Sequence, residues 1–153
     1  MLNRPVYIDL EGADLTGKST LLKDTFRKGD YSKIMCFHDR GILTHYIYNQ
    51  TFERYGEDLS LWWNELTGFI KHNGIIVLVG SEAELVNRYQ KRSDDLFKLS
   101  NIVKMNEAYK KLCRDFLSSF FTVKVIEIDG KTPDQIYREA EKLYIYMMGR
   151  GVA

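Results

Sequence analysis

The sequence predicts an α/β fold, a short, mostly parallel central sheet of about four strands flanked by helices. Three observations lead there. Short β-rich runs alternate with longer helical patterns along the chain. One run, GIIVLVG (74–80), is apolar throughout, as in a strand covered on both faces of a parallel sheet. EGADLTGKST (11–20) then sets glycines between a strand and a helix.

Each element follows in order. VYIDL (6–10) is a β-rich run that ends at Gly12, a strand feeding a turn. Lys18 to about Lys28 reads as a helix closed by Gly29. SKIMCFH (32–38) is a second strand. Residues 41–55 and 58–72 read as helices, the second with Leu59, Trp62, Trp63, Leu66 and Ile70 near a 3.6 period. That spacing favours core packing for the tryptophans over base stacking. After the apolar strand, Ser81 with Glu84 three residues on predicts a capping box. Residues 101–118 form a further helix, VKVIEID (123–129) a fourth strand, and Pro133 starts the last helix.

Composition narrows the function classes. A chain of 153 residues suits one domain, 1–153, with a sizeable core. Its 44% hydrophobic and 28% charged residues fit a globular protein. A formal net charge of +1 disfavours nucleic acid held through general electrostatics. Cys36 and Cys113 have no ligand spacing; both lie in apolar runs, which predicts buried thiols and suits a reducing, cytoplasmic setting. MLNRPVYIDL lacks the apolar stretch of a signal peptide. No run approaches the ~18–20 residues that span a bilayer, so no membrane partner is expected. His38, His45 and His72 are too scattered for zinc.

The chemistry concentrates in the glycine-rich turn. Gly12-Ala-Asp-Leu-Thr-Gly17-Lys18-Ser19 fits G-x-x-x-x-G-K-[ST], the P-loop or Walker A pattern. Backbone N–H groups must converge on a phosphate there, and side chains would block the approach. Lys18 can reach the β- and γ-phosphates, and the Ser19 hydroxyl can ligate Mg²⁺. Gly12, Ala13, Asp14, Thr16, Gly17, Lys18, Ser19 and Thr20 are therefore the candidate ATP-binding residues. The competing reading is a plain strand–turn–helix with an exposed lysine. With the motif in place, the expected architecture is a P-loop NTPase-type three-layer sandwich.

Two further clusters join it. Asp39-Arg40 follows the second strand, where the carboxyl ends of parallel strands line the ligand crevice. Arg40 offers a fork for phosphate, and Asp39 can hold Mg²⁺ through water; a surface ion pair is the alternative. In ELVNRYQKRSDDL, Arg88 and Arg92 stand four residues apart on one helix face. They suggest a small lid around 88–99 carrying cations to the transferred phosphate, with a solvated basic helix end as the alternative. Lys18, Asp39, Arg40, Arg88 and Arg92 are thus the candidate catalytic residues, and Ser19 and Asp39 the metal-holding pair.

These residues resemble the thymidylate kinase family and related deoxynucleoside kinases, as a shortened member of the viral type. Asp9-Leu10-Glu11-Gly12-Ala13-Asp14 is similar to the family's approach to its phosphate loop, and Asp39-Arg40 to its Asp-Arg motif. The resemblance implies that Asp14 contacts the acceptor sugar and Arg40 the acceptor phosphate. It also implies that Thr44 and His45 face the base and that Tyr48 packs under the sugar. IIVLVGSEAELVNRYQKRSDD, NEAYKKL and VIEIDG resemble later segments, the turn after the last strand lying near adenine. Two departures stand out. Only about twenty residues separate Lys18 from Asp39, where the family inserts a base-stacking segment. Leu15 stands where some members carry a loop arginine; members lacking it place it in the lid.

The resemblance implies an ATP- and Mg²⁺-dependent phosphotransferase acting on a small-molecule (deoxy)nucleoside monophosphate. A phosphate acceptor is already an oxyanion and needs no base, whereas a hydroxyl benefits from a carboxylate. If Glu11, Asp14 or Asp39 took the base role, the acceptor could be a deoxynucleoside or a hydroxyl on a modified nucleotide or nucleic acid. A non-catalytic nucleotide-binding module is the alternative from another class, and a homodimer is left open.

Overall fold

The computed structural model describes residues 5–29, 35–52, 59–92 and 98–151. Strand β1 (Val6–Gly12) runs into helix α1 (Lys18–Lys28), then β2 (Met35–Asp39), α2 (Ile42–Phe52) and α3 (Leu59–His72). Next come β3 (Gly74–Val79), α4 (Glu82–Gln90), α5 (Leu99–Leu112), β4 (Val123–Glu127) and α6 (Pro133–Gly151). The four strands form one sheet in the order β2-β1-β3-β4, and every pair is parallel. The predicted α/β class is observed, with a wholly rather than mostly parallel sheet.

Helices cover both faces because the strands are apolar on both. Ile8, Leu10, Ile76, Leu78 and Ile126 face α1 and α6, meeting Leu21, Ala140, Leu143 and Tyr144. Ile75, Val77 and Val79 face the other way, toward Leu43, Ile47, Leu66, Ile70, Ile102 and Tyr109 of α2, α3 and α5. All six residues of β3 are buried, as its unbroken apolar run requires. The layering is compatible with a three-layer sandwich. Chain order sends β2 to one side of β1 and β3 to the other, so the order reverses beside β1; crevices of open α/β sheets form at such points.

Several details depart from the sequence reading. Cys113 is buried, and burial pushes its thiol up to about 12, but Cys36 is exposed. β2 is an edge strand, and Cys36 shares its exposed strip with its register partner Tyr7, which is 36% exposed. The fifth helix begins at Leu99 and gives way to a π-helical turn over Cys113–Leu117. The Ser81 capping box is half made: the Ser81 hydroxyl accepts from Glu84 N–H at 3.1 Å, but the Ser81 N–H goes to Asp129 at 2.8 Å. Glu84 is thereby left for Arg88, 2.8 Å away. The tryptophans divide: Trp63 packs against the core under α3, whereas Trp62 stacks on His45 at 4.9 Å. Residues 32–34, 53–55 and 58 of the predicted elements lie outside the described residues. No described helix is long and apolar enough to cross a membrane.

The carboxyl end of β3 is held by Asn106 of α5, which is fully buried. Its side-chain oxygen accepts from Gly80 N–H at 3.1 Å, and its amide donates to Gly80 C=O at 2.7 Å. Asn106→Ala would orphan both backbone groups and should cost about 3 kcal/mol. Urea unfolding measures this; a loss under about 1 kcal/mol would show that the clamp is dispensable.

Candidate functional site

The β1–α1 loop leaves β1 through Gly12, whose φ is +142°. A Cβ there would lie 2.5 Å from the Leu78 carbonyl oxygen and 2.9 Å from Thr16 Oγ1, so glycine is required for the close pass over β3. The buried Thr16 hydroxyl donates to Ala13 C=O at 2.7 Å and draws the loop together. Gly17 caps α1 in the left-handed region and supplies no side-chain cap. The first bond into the helix is Leu21 N–H to Gly17 C=O. The N–H groups of Lys18, Ser19 and Thr20 therefore have no α-helical acceptor, and the positive end of α1 opens where the loop curls.

Lys18 is 7% exposed and lies back along this loop, donating to Gly12 C=O at 2.6 Å and Ala13 C=O at 3.0 Å. Burial and then the charge of Arg40 hold its ammonium below the ordinary 10.5; Asp14, Asp39 and Glu11 oppose them. Arg40 sits just past β2 with φ +70°. Its guanidinium donates to Asp14 at 2.7 Å and to the Tyr48 hydroxyl at 3.0 Å. Burial works against its charge, but Tyr48, Asp14 and Asp39 outweigh that and raise its pKa. A cavity of about 270 Å³ lies between these groups, lined by Asp14, Thr16, Lys18, Ser19, Asp39, Arg40 and Arg92 among others. Among the described residues no cluster of His, Cys, Asp and Glu could hold a metal alone. Ser19 and Asp39 fit Mg²⁺ only as a hydroxyl and a carboxylate sharing it with phosphate oxygens and water.

The two arginines of the predicted lid do not share a helix face. Helix α4 ends at Gln90, with Lys91 as its cap and the Arg92 N–H turned to Tyr89 C=O at 3.1 Å. Arg92 lines the larger cavity. Arg88 lies behind the loop, where it is held by Glu84 and donates to Leu15 C=O at 2.9 Å. There it borders a second cavity of about 70 Å³ with Gly17, Thr20, Lys131, Pro133 and Ile136. Residues 93–97 of the predicted lid lie outside the described residues.

Of the residues that the resemblance put on the acceptor, Tyr48 reaches the site through Arg40, and Asp14 lines it. Thr44 donates its hydroxyl to Glu11 at 2.9 Å. His45 stacks on Trp62, with Asn49 at 3.0 Å from its Nε2. Neither lines either of the two cavities at the loop.

Sequence reasoning offered Glu11 only as an alternative base and did not foresee that Asp9 and Glu11 lie buried beneath the site. Asp9 and Glu11 point the same way from β1 and are 1% and 0% exposed. Asp9 accepts from Ile42 N–H at 2.8 Å and pairs with His38 at 2.8 Å. One Glu11 oxygen accepts from Gly41 N–H at 2.8 Å and Leu43 N–H at 3.0 Å; the other accepts from Thr44 and from the Tyr109 hydroxyl at 2.8 Å. The two acids together cap α2, and a Cβ on Gly41 would collide with the Asp9 carboxylate. Two acids one pleat apart in an apolar strand were the available signal, since buried carboxylates must find donors. Tyr109 and Asn106 gave none.

Burial holds the Glu11 carboxyl above the ordinary 4.5, against the pull of Tyr109, Thr44 and the two N–H groups. A raised carboxyl contributes fully below its unfolded value, and that contribution fades as pH rises through the folded value. Wild type should therefore lose stability relative to Glu11→Gln as pH climbs from below 4.5. Paired urea titrations at stepped pH measure the difference; a flat or rising difference would contradict it.

Compared with family models, curated proteins and solved structures, the chain matches none of them. What the site does is therefore to be read from its own residues.

Proposed function

We propose that this protein is a P-loop kinase that transfers the γ-phosphoryl of Mg·ATP to a (deoxy)nucleoside 5′-monophosphate. One observation carries the reading: Lys18, Ser19 and the uncapped start of α1 share one cavity with Asp39, Arg40 and Arg92. Cations and open N–H groups on one side, with a hydroxyl and a carboxylate for a metal, are what a triphosphate tail requires.

In this reading Lys18 leaves its loop carbonyls for the β- and γ-phosphates, joined by the N–H groups at the start of α1. Ser19, and Asp39 through water, hold Mg²⁺, which neutralises phosphate charge. Arg40, aimed by Asp14 and Tyr48, anchors the acceptor's phosphate. An acceptor oxygen attacks the γ-phosphorus in line, the bond to the β–γ bridging oxygen breaks, and ADP leaves with the electron pair. Arg92 meets the charge on the transferred group. Arg88 steadies the loop from behind, and the turn after β4, which borders the smaller cavity through Lys131, lies beside the adenine, as the resemblance implies. Glu11 is unsuited to the base role because both its oxygens are already engaged by donors.

Asp39 favours a second reading. It is exposed, lines the cavity, and makes no hydrogen bond or ion pair among the described residues that would occupy it. It could take a proton from a sugar hydroxyl, making a deoxynucleoside the acceptor.

A panel of nucleosides and 5′-monophosphates with labelled ATP separates the two. ADP release that depends on a monophosphate supports the first reading, and release that depends on a nucleoside supports the second. Release indifferent to any acceptor leaves a plain ATPase. Lys18→Ala should keep the fold yet lower turnover at least about a hundredfold. Arg40→Ala should lower kcat/KM for the acceptor about a hundredfold while Mg·ATP binding changes little. Equal damage to both substrates would refute its role.

A further inference from the structure

We infer that Glu11 is a positioning residue that sets Arg40, the proposed acceptor anchor, relative to the phosphate loop, with Tyr109 of α5 holding it in register; this rests on the kinase reading above.

Glu11 is next to both loops along the chain or through its donors. Glu11 directly precedes Gly12, where the loop begins. Its donors Gly41, Leu43 and Thr44 directly follow Asp39-Arg40. One side chain thus joins the loop that would hold the donor nucleotide to the turn that would hold the acceptor. Between them lies the cavity itself, so a shift at Glu11 changes its width.

The turn between β2 and α2 has no slack. Arg40 leaves β2 with its N–H still on Leu10 C=O at 2.9 Å and its φ at +70°. Gly41, with Asp9 packed against its Cα, follows at once. The turn is therefore short, close-packed and bonded at both ends. Its position is determined by where α2 begins, and α2 begins where Glu11 and Asp9 bind its first N–H groups.

Tyr109 holds Glu11 from the side of α5. Its ring is 1% exposed, and its hydroxyl donates to Glu11 at 2.8 Å. Without that donor the Glu11 oxygen would keep only Thr44, whose rotor can swing. Helix α5 is also the helix that clamps Gly80 through Asn106, so it ties β1 and β3 to one support.

Tyr109→Phe is the test, with Glu11→Gln as the second variant because it keeps the shape but puts an amide donor where one acceptor oxygen stood. Three measurements are made on the full chain: Mg·ATP affinity by calorimetry, KM for each of the deoxynucleoside 5′-monophosphates as probes, and hydrogen exchange at Gly41 and Leu43. Tyr109→Phe should exchange these amides faster, raise the acceptor KM between threefold and tenfold, and leave Mg·ATP affinity within twofold. Glu11→Gln should show the same split, larger. Faster exchange with an unmoved KM would make Glu11 merely structural, and equal losses for both substrates would do the same; either result overturns the inference while wild-type transfer keeps the kinase reading intact. A wild type that transfers to none of these monophosphates removes the monophosphate-kinase reading and this inference with it.

Discussion

Everything at the carboxyl end of the sheet depends on one buried carboxyl group. The Glu11 carboxylate is closed off from water and takes donors from two backbone amides, a threonine and a tyrosine. An isolated carboxylate in such surroundings would be costly, and it persists only because its donors and the positive end of α2 meet it there. The same satisfaction places three elements: the start of the glycine-rich loop, the first turn of α2 and the last turn of α5. Removing any one donor leaves a buried carboxyl oxygen under-bonded, which makes the arrangement stiff.

That stiffness suits the chemistry proposed for the site. Phosphoryl transfer asks little covalent work of a protein and much positioning and charge placement. The cations divide accordingly. Lys18 is held on its own loop, Arg40 is aimed by Asp14 and Tyr48, and Arg88 grips Leu15 from behind. Among them Arg88 carries a lesson about loops. Leu15 offers no charge of its own, and an arginine from a helix 73 residues later in sequence reaches its carbonyl instead.

Much of the fold was legible because it follows from short-range physics. The apolar run 74–80 could bury itself only between two helical layers, and it does. Gly29 closes α1, and Pro133 opens α6. Cys36 misled because an apolar run does not say whether its strand is central or at an edge, and edge strands keep an uncovered strip. The Ser81 capping box misled in its second half because Asp129, from the turn after β4, competed for the same N–H. The arginine pair misled because a spacing of four implies a shared face only while the helix lasts, and α4 stops at Gln90.

The sequence by itself determined the alternation of strands and helices and the glycine-rich turn with its lysine and serine. It also determined the placing of Asp39-Arg40 directly after a strand. All of these are encoded within a few residues, where propensity, periodicity and turn geometry act. Only the tertiary structure decided that Arg40 meets Asp14 and Tyr48, that Arg88 and Arg92 part company, and that Glu11 is a cap under Tyr109. Those partners lie 8 to 98 residues apart along the chain. No local rule relates such positions; the sheet order and the need of each buried charge for a donor bring them together.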